Sequence, residues 1–474
     1  MPPLPFRIEV LWSDGLVWLL VIAVVAYAVY ARRHPHLRAP WSRVARSASA
    51  MAAATVLCCF VLVGLLDSLH YRPLLPPQGG KPVYATEVRS VLDLVLTPLR
   101  AQREKTYSAP FATELYAKET IKRADGVETR EFPRLRHGGK HLESPADSAA
   151  DIALRAFRGV VAALLAWFAF ALLLSAALAR QQGGGIEAAW RSLWSGLTPL
   201  PWRAVLATLG VLAVIAGPVV ALAPYYHVLG TDKVGQDVLY QSLKSIRTGL
   251  VIGTLATLVT LPFALVLGVM AGYFKGWVDD VIQYVYTTLS SIPGVLLIAA
   301  AVLMMQVYIE NHADLFPSTE IRADVRLLAL CVILGLTSWT GLCRLLRGEA
   351  LKLRELEYIQ AARAFGVSHW RIMMRHITPN LMHIVMIALV MDFSGLVLAE
   401  AVLSYVGVGV DPSMISFGTM INSARLEMAR EPMVWWSLAS AFFFMLLLVL
   451  AANLFADAVR DAFDPRVAMA GGRA

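Results

Sequence analysis

TGLVIGTLATLVTLPFALVLGVMAGYF, residues Thr248 to Phe274, contains no charged side chain and is bracketed by Arg247 and Lys275. A bilayer core about 30 Å thick needs about 20 apolar helical residues, each rising about 1.5 Å. This stretch passes that length. Working outward, runs of the same kind precede it at Gly15 to Ala31, Ser47 to Leu66, Gly159 to Ala179 and Ala204 to about Tyr226. Others follow at Val281 to about Val307, Leu327 to Cys343, about Leu381 to Leu403, and Met433 to Phe455. Asp392 and Glu400 interrupt the run before last. The expected fold is an all-α polytopic membrane protein with about nine transmembrane helices.

Composition agrees. The chain has 474 residues, 57% hydrophobic and 16% charged, with mean hydropathy +0.60. Soluble proteins carry about 25% charged residues. The net charge of +8 reads as basic loops held on the cytoplasmic side, not as a nucleic-acid surface. Cys58, Cys59, Cys331 and Cys343 lie in or at the ends of apolar runs without zinc or redox spacing, and read as packing residues. The first apolar run follows an acid-containing start and no small-residue cleavage site stands out, so no cleavable signal peptide is expected.

Arg32, Arg33, Arg38, Arg43 and Arg46 follow the first run with no acid among them, and the loop Gly348 to Asn380, edged by Arg344 and Arg347, is also basic. Both are expected in the cytoplasm. Nine crossings then put the N-terminus outside and the C-terminus inside. The long polar region Asp67 to Asp151 faces outside. Pro73, Pro76, Pro77 and Gly79-Gly80 break it, and Val88, Val91, Leu92, Val95 and Leu99 recur at helical spacing. Gly183-Gly184-Gly185, Pro199 and Pro201 mark a linker from Gln181 to Trp202. The division expected is 1–67 for two N-terminal transmembrane helices and 68–152 for an extracytoplasmic segment. A third helix and linker follow at 153–201, then a six-helix core at 202–466.

The loop Gly348 to Asn380 reads as helix, glycine stop, helix, proline stop. Leu351 to Phe365 holds good helix formers. Gly366 suits a left-handed C-terminal cap, Ser368 can cap the next helix, and Pro379 ends that helix or begins the next span. Gln360, Ala361 and Ala362 are followed by Ala364 and Gly366, and small side chains let a partner backbone approach closely. On the residues alone, an ordinary cytoplasmic hairpin packed on the membrane domain is favoured over a knob for another protein.

Tyr358-Ile-Gln-Ala-Ala-Arg-Ala-Phe-Gly366-Val-Ser, with Arg371-Ile372 and Arg375-His-Ile-Thr-Pro379-Asn380, resembles the EAA loop of ATP-binding-cassette (ABC) importer permeases. The likeness is greatest to the dipeptide/oligopeptide/nickel branch. Gln360 stands where Glu is usual, and Thr378 where Leu is usual. Three more stretches resemble that family in order: His227 to Leu239 with Gln236 for Arg, Arg247 to Leu250, and Leu398 to Thr419 with Phe417 for Trp. The resemblance covers about Trp202 to Arg466, with the type-1 transmembrane domain at about 246–458. It implies a type I ABC importer permease core that translocates peptides or similar small solutes. Its partners would be a second permease in a heterodimer, two ABC ATPase subunits and an extracytoplasmic solute-binding protein, in a bacterial inner membrane with its lipid. Glu357, Tyr358, Gln360, Ala361, Ala362, Gly366 and Pro379 would then belong to the ATPase-docking loop.

No Gly-x-x-x-x-Gly-Lys-Ser/Thr phosphate loop occurs, since Gly80-Lys81 precedes Pro82 and Gly139-Lys140 precedes His141. The chain is therefore expected to be no enzyme and to bind no cofactor, with ATP and Mg on the partner ATPase. The isolated pairs His34/His36 and His137/His141 read as solvated surface, so no metal site is expected. Asp392 and Glu400 are costly inside a bilayer, about 2.5–3.5 kcal/mol each on insertion scales. Asp392 is expected to line the pathway, and Glu400 to line it or to brace the extracellular end. An ion-gradient-driven secondary transporter using these two acids is the alternative. Gly249/Gly253 and Gly268/Gly272 have the spacing for close helix packing within the chain.

Overall fold

In a computed structural model, residues 6–78, 81–122, 128–183, 185–196, 198–312, 314–316 and 318–463 are described. Gly79, Gly80, Gly184, the side chain of His36 and residues 464–466, all named above, lie outside them. Among the described residues nine helices are long and apolar enough to cross a membrane. The chain divides into two compact units, one of residues 1–9, 44–247 and 415–451, the other of 10–43, 248–414 and 452–474.

The helices, in chain order, are α1 (Trp12–Arg33), α2 (Pro35–Arg46), α3 (Ala48–Asp67), α4 (Val91–Val95), α5 (Thr97–Ala101), α6 (Ser148–Gln182), α7 (Ile186–Ser195) and α8 (Trp202–Leu222). They continue as α9 (Val238–Phe274), α10 (Trp277–Ser291), α11 (Gly294–Asn311), α12 (Thr319–Arg354), α13 (Glu357–Ala364), α14 (His369–Ile372), α15 (Thr378–Val406), α16 (Phe417–Glu427) and α17 (Trp436–Phe463).

In the first unit, α6 and α8 cross closely because Gly159 and Gly217 oppose each other. A Cβ on Gly159 would stand 2.5 Å from the Gly217 carbonyl oxygen, and one on Gly217 2.6 Å from that of Gly159. Trp167 Nε1 donates to the Leu206 carbonyl across the same seam at 2.8 Å. The expected linker 181–202 is not merely a break: α7 forms within it, burying Ala189 and Leu193, while Trp190 and Trp194 sit edge-on to Phe168 and Trp167. Its amphipathic spacing was masked by the glycines and prolines on either side.

Among the described residues, the region expected to be an extracytoplasmic segment holds five strands and takes a sixth, β1, from the start of the chain. β1 (Phe6–Glu9), β2 (His70–Gln78), β3 (Lys81–Tyr84) and β4 (Arg89–Ser90) form one sheet, ordered β1-β2-β3 with β4 on β2; β5 (Glu119–Lys122) pairs with β6 (Glu128–Glu131). Pro73, Pro76 and Pro77 do not end β2. The last two fall in the register shift between Leu75 and Gln78, where a missing N–H costs no ladder bond. The expected helical periodicity over 88–99 appears as two one-turn helices, α4 and α5. Leu92 and Leu99 are buried, but Leu94 and Val95 are exposed.

In the second unit, α9, α12 and α15 surround two apolar clusters. One gathers Ile252, Ala256, Leu327, Leu334, Leu396 and Leu403; the other gathers Ala271, Cys343, Leu346, Ile359, Ile372 and Leu381. Glycines make the packing close. A Cβ on Gly268 would stand 2.8 Å from the Cys343 carbonyl oxygen, on Gly272 2.5 Å from Ala350 Cβ, and on Gly253 2.5 Å from the Phe393 ring. The run expected from Val281 to Val307 is two helices. Ile292 is extended because Pro293 restricts the residue before it, and α11 restarts at Gly294 as the spanning helix. The helix expected over Leu351 to Phe365 is likewise interrupted at Glu355 and Leu356.

Candidate functional site

The interruption is the corner from which the loop projects. Arg354 Nη1 donates to the Tyr273 carbonyl at 2.8 Å, an orphan acceptor in the last turn of α9. Lys275 pairs with Glu355 at 2.9 Å, and Gln360 Nε2 donates to the Glu355 carbonyl at 3.1 Å. Nearby, Arg347 grips Asp279 in a two-point ion pair, at 2.5 and 2.7 Å. α12 is thereby tied to the first turn of α10 just before the loop begins.

α13 starts at Glu357, whose charge suits a helix N-terminus, and ends in a Schellman closure. Gly366 N donates to the Arg363 carbonyl at 3.0 Å and Val367 N to the Ala362 carbonyl at 3.1 Å, with Gly366 at φ 74°. The cap expected of Gly366 is present. Ser368 occupies the N-cap position of α14, but its side chain makes no capping bond. Pro379 begins a helix: α14 passes through a wide π turn, Met373–Ile377, into α15. A proline at 379 cannot donate to the Arg375 carbonyl, which agrees with a wider turn there.

The hairpin has two faces. Ile359, Ile372 and Ile377 are fully buried in the unit's apolar cluster, and Ala362 and Val367 pack against it. Tyr273 Oη lies 2.7 Å from His369 Nδ1, fixing α14 to α9. Asn380 Nδ2 donates to Tyr358 Oη at 3.2 Å, tying α13 to α15. On the other face Phe365 is 87% exposed, Trp370 61% and Tyr358 45%, and Leu356 and Met374 are exposed too. Gln360, Ala361 and Ala364 lie exposed among them. A rigid, outward apolar face over small residues is what a groove on another protein would accept.

A second motif stretch is built in the first unit. His227 is fully buried, with Nδ1 2.7 Å from Asp237 Oδ2 and Nε2 3.5 Å from Glu104 Oε1. The second distance is an ion-pair contact, not a hydrogen bond. Glu104 also accepts from the backbone N–H groups of Arg136, His137 and Gly138 at 2.8, 2.7 and 3.3 Å. Burial alone would discharge these groups. Asp237 and Glu104 outweigh it at His227 and raise its pKa to about 9. The imidazole and the three N–H groups outweigh it at Glu104 and hold that carboxyl at about 2. Gly235 is required where it stands, since its φ is +71° and a Cβ would fall 1.9 Å from the Glu104 carbonyl oxygen. Segment 104–138 is thus clamped onto the 227–237 stretch.

Comparison with known proteins decides what the helices and the hairpin belong to. A family model described as the binding-protein-dependent transport system inner membrane component matches residues 264–469. The glutathione transport system permease protein GsiD of Pectobacterium atrosepticum is 33% identical over 241 residues, covering 51% of this chain and 73% of that protein. The oligopeptide transport system permease protein OppC of Mycobacterium tuberculosis is 34% identical over 239 residues, 50% of this chain and 76% of that protein.

The chain belongs to the ABC importer permeases of the peptide family.

The peptidoglycan transport system permease protein YejE of Agrobacterium fabrum is 32% identical to this permease over 240 residues, covering 50% of the chain and 57% of the relative. Among solved structures, the inward-facing MetNI methionine ABC transporter aligns at a TM-score of 0.38 and 15% identity, over 48% of this chain and 98% of that one. The permease is a multi-pass protein of the bacterial inner membrane. Ion-gradient-driven secondary transport is set aside, because the relatives that share its sequence are ABC importer permeases.

Asp392 and Glu400 stand two turns apart on α15 and are not brought together. Asp392 is half-buried. Glu400 is buried and accepts from Ser404 Oγ at 2.6 Å, where the side chain of Ser404 also crowds Gly409. Sequence reasoning missed the pairs that brace the machinery, namely Arg347–Asp279, Arg326–Asp411 at 2.5 Å, and Lys244 with Asp67 at 2.7 Å. Opposite charges far apart in the chain carry no spacing signal, and only the lone basic and acidic residues at run edges hinted at them.

Proposed function

We propose that this permease carries peptides or similar small solutes across the inner membrane and is driven by a separate ABC ATPase that docks on the hairpin 348–380. The outward face of that hairpin carries the reading. Tyr358 and Ala361 stand on it beside the exposed Glu357 and Gln360, Ala362 packs beneath it, Gly366 closes it and Pro379 joins it to α15. The family supports a second permease in a heterodimer, two ATPase subunits holding ATP and Mg, and an extracytoplasmic solute-binding protein; this chain itself would bind no cofactor. The division proposed keeps 202–466 as the permease core, with the type-1 domain at about 246–458. The added N-terminal parts are 1–67, 68–152 and 153–201. The basic loops support an extracytoplasmic N-terminus and a cytoplasmic C-terminus.

In this reading the chain's work is mechanical. ATP-driven closure of the ATPases moves the hairpin, and α12 and α15, which enter and leave it, transmit the movement to the bundle. Asp392 would line the path and Glu400 would brace α15 through Ser404. The test is co-purification. Phe365→Asp and Ala361→Arg each alter an exposed side chain, so the fold is kept while the apolar face is charged. Loss of the ATPase subunits from the variants is expected; undiminished ATPase recovery from both would refute docking at this hairpin.

A further inference from the structure

Between α1 and α3, both long and apolar enough to cross a bilayer, the chain has only α2 and single-residue breaks at His34 and Ser47. The twelve residues of α2 reach about 18 Å, short of the roughly 30 Å of hydrocarbon. α2 therefore joins two crossings at one membrane face and lies in that surface. One side of it is anchored. Trp41 sits edge-on to Phe463 with centroids 5.5 Å apart, its Nε1 donates to Tyr27 Oη at 3.4 Å, and Arg43 Nη1 donates to the Ala462 carbonyl at 3.1 Å, near the end of α17.

The other side is cationic. Arg38 is exposed on α2, and Arg32 and Arg33 are exposed at the end of α1. From Gly15 to Leu66 the sequence holds no Asp or Glu. Directly before these arginines, α1 exposes Leu19, Ile22, Val25 and Tyr30. An uninterrupted apolar helix face that ends, at the membrane surface, in arginines with no ion-pair partner among the described residues matches the order of acyl chain and phosphate in a phospholipid. Guanidinium groups bind phosphate oxygens at two points, and interfacial basic helices gain affinity from anionic lipid.

We propose that Arg32, Arg33 and Arg38 form a binding strip for anionic phospholipid headgroups, with α1 receiving the acyl chains. The strip is separate from the ATPase-docking hairpin and does not depend on that reading. The full chain in mild detergent is mixed with equimolar phosphatidylglycerol and phosphatidylcholine, and retained lipids are counted by native mass spectrometry. Each cation near a surface contributes a factor of about five. The wild type is expected to retain phosphatidylglycerol about tenfold or more over phosphatidylcholine. The triple variant Arg32→Gln, Arg33→Gln, Arg38→Gln is expected to fall to near parity, and the matching triple Lys variant to keep most of the preference. Equal retention of both lipids by the wild type overturns the proposal, whether or not the variants accumulate. An undiminished preference in the Gln variant does so as well. Loss of the ATPase subunits from that variant with lipid preference intact assigns the strip to a protein partner and overturns it too.

Discussion

Raising the pH should unclasp the segment 104–138 from the 227–237 stretch. His227 is the perturbed group, with an ordinary pKa of 6.5 raised to about 9 by Asp237 and Glu104 against the opposing effect of burial. A group whose pKa is raised by folding stabilises fully below its unfolded value and loses that contribution as pH climbs through the folded one. The contribution is therefore complete below pH 6.5 and fades toward pH 9. At 1.36 kcal/mol per pH unit the interval corresponds to roughly 3 kcal/mol, or about a hundredfold in a local opening equilibrium. Glu104 behaves oppositely. Held at about 2 against an ordinary 4.5, it contributes above pH 4.5 and loses that as pH falls toward 2. The clamp is tightest between about pH 4.5 and 6.5. Hydrogen exchange, corrected for its intrinsic pH dependence, reads the opening through the amides of Arg136, His137 and Gly138, which donate to Glu104. Their protection should fall by about a hundredfold from pH 6.5 to 9 in the wild type. In His227→Gln, which removes the cation between two buried carboxylates at a cost of roughly 3–5 kcal/mol, protection should be low throughout and should not fall further with rising pH. Constant protection across that interval in the wild type, or the same alkaline loss in the variant, would refute the reasoning.

Gly235→Ala should open the same clamp by a different route, because its Cβ meets the Glu104 carbonyl oxygen in a backbone conformation that alanine disfavours. The expected result is a lower Tm and faster proteolysis within 104–138, and a Tm equal to wild type would count against the close approach. Arg347→Met should strand Asp279, whose carboxyl Arg347 holds below the usual range, and cost roughly 1–3 kcal/mol. Fluorescence of a label near the hairpin should report a looser loop base, and an unchanged thermal unfolding curve would contradict it.

The membrane helices were legible because about 20 apolar residues in a row have few other uses. Their ends were not. α9 and α12 run well beyond their apolar stretches, through Lys244 and Arg247 in one and Arg344, Arg347 and Lys352 in the other, because polar turns outside the bilayer continue a helix without interruption. Pro293 splits a run that hydropathy joins. The strands of the segment after α3 escaped notice because most are short, β2 and β3 carry prolines, and β2 takes β1 as a partner from before α1. In the hairpin, Gly366 was readable from its conformational freedom alone, and the family likeness of 358–380 was readable from its motif. The outward direction of Phe365 and Trp370 was not, since it depends on which side of α13 and α14 the core occupies. The partnership of Glu104 with His227 could not be seen because folding alone brings together groups 123 residues apart.

The central claim is that the hairpin 348–380 meets a separate ATPase. Placing a photocrosslinking residue at position 365, in the full chain co-expressed with its transport partners, tests this most directly. Thr113, in the segment expected outside the cell, serves as the control position. A crosslink to the ATPase subunit from position 365 and none from position 113 is predicted. ATPase crosslinks absent at 365, or equally strong at 113, would contradict the account.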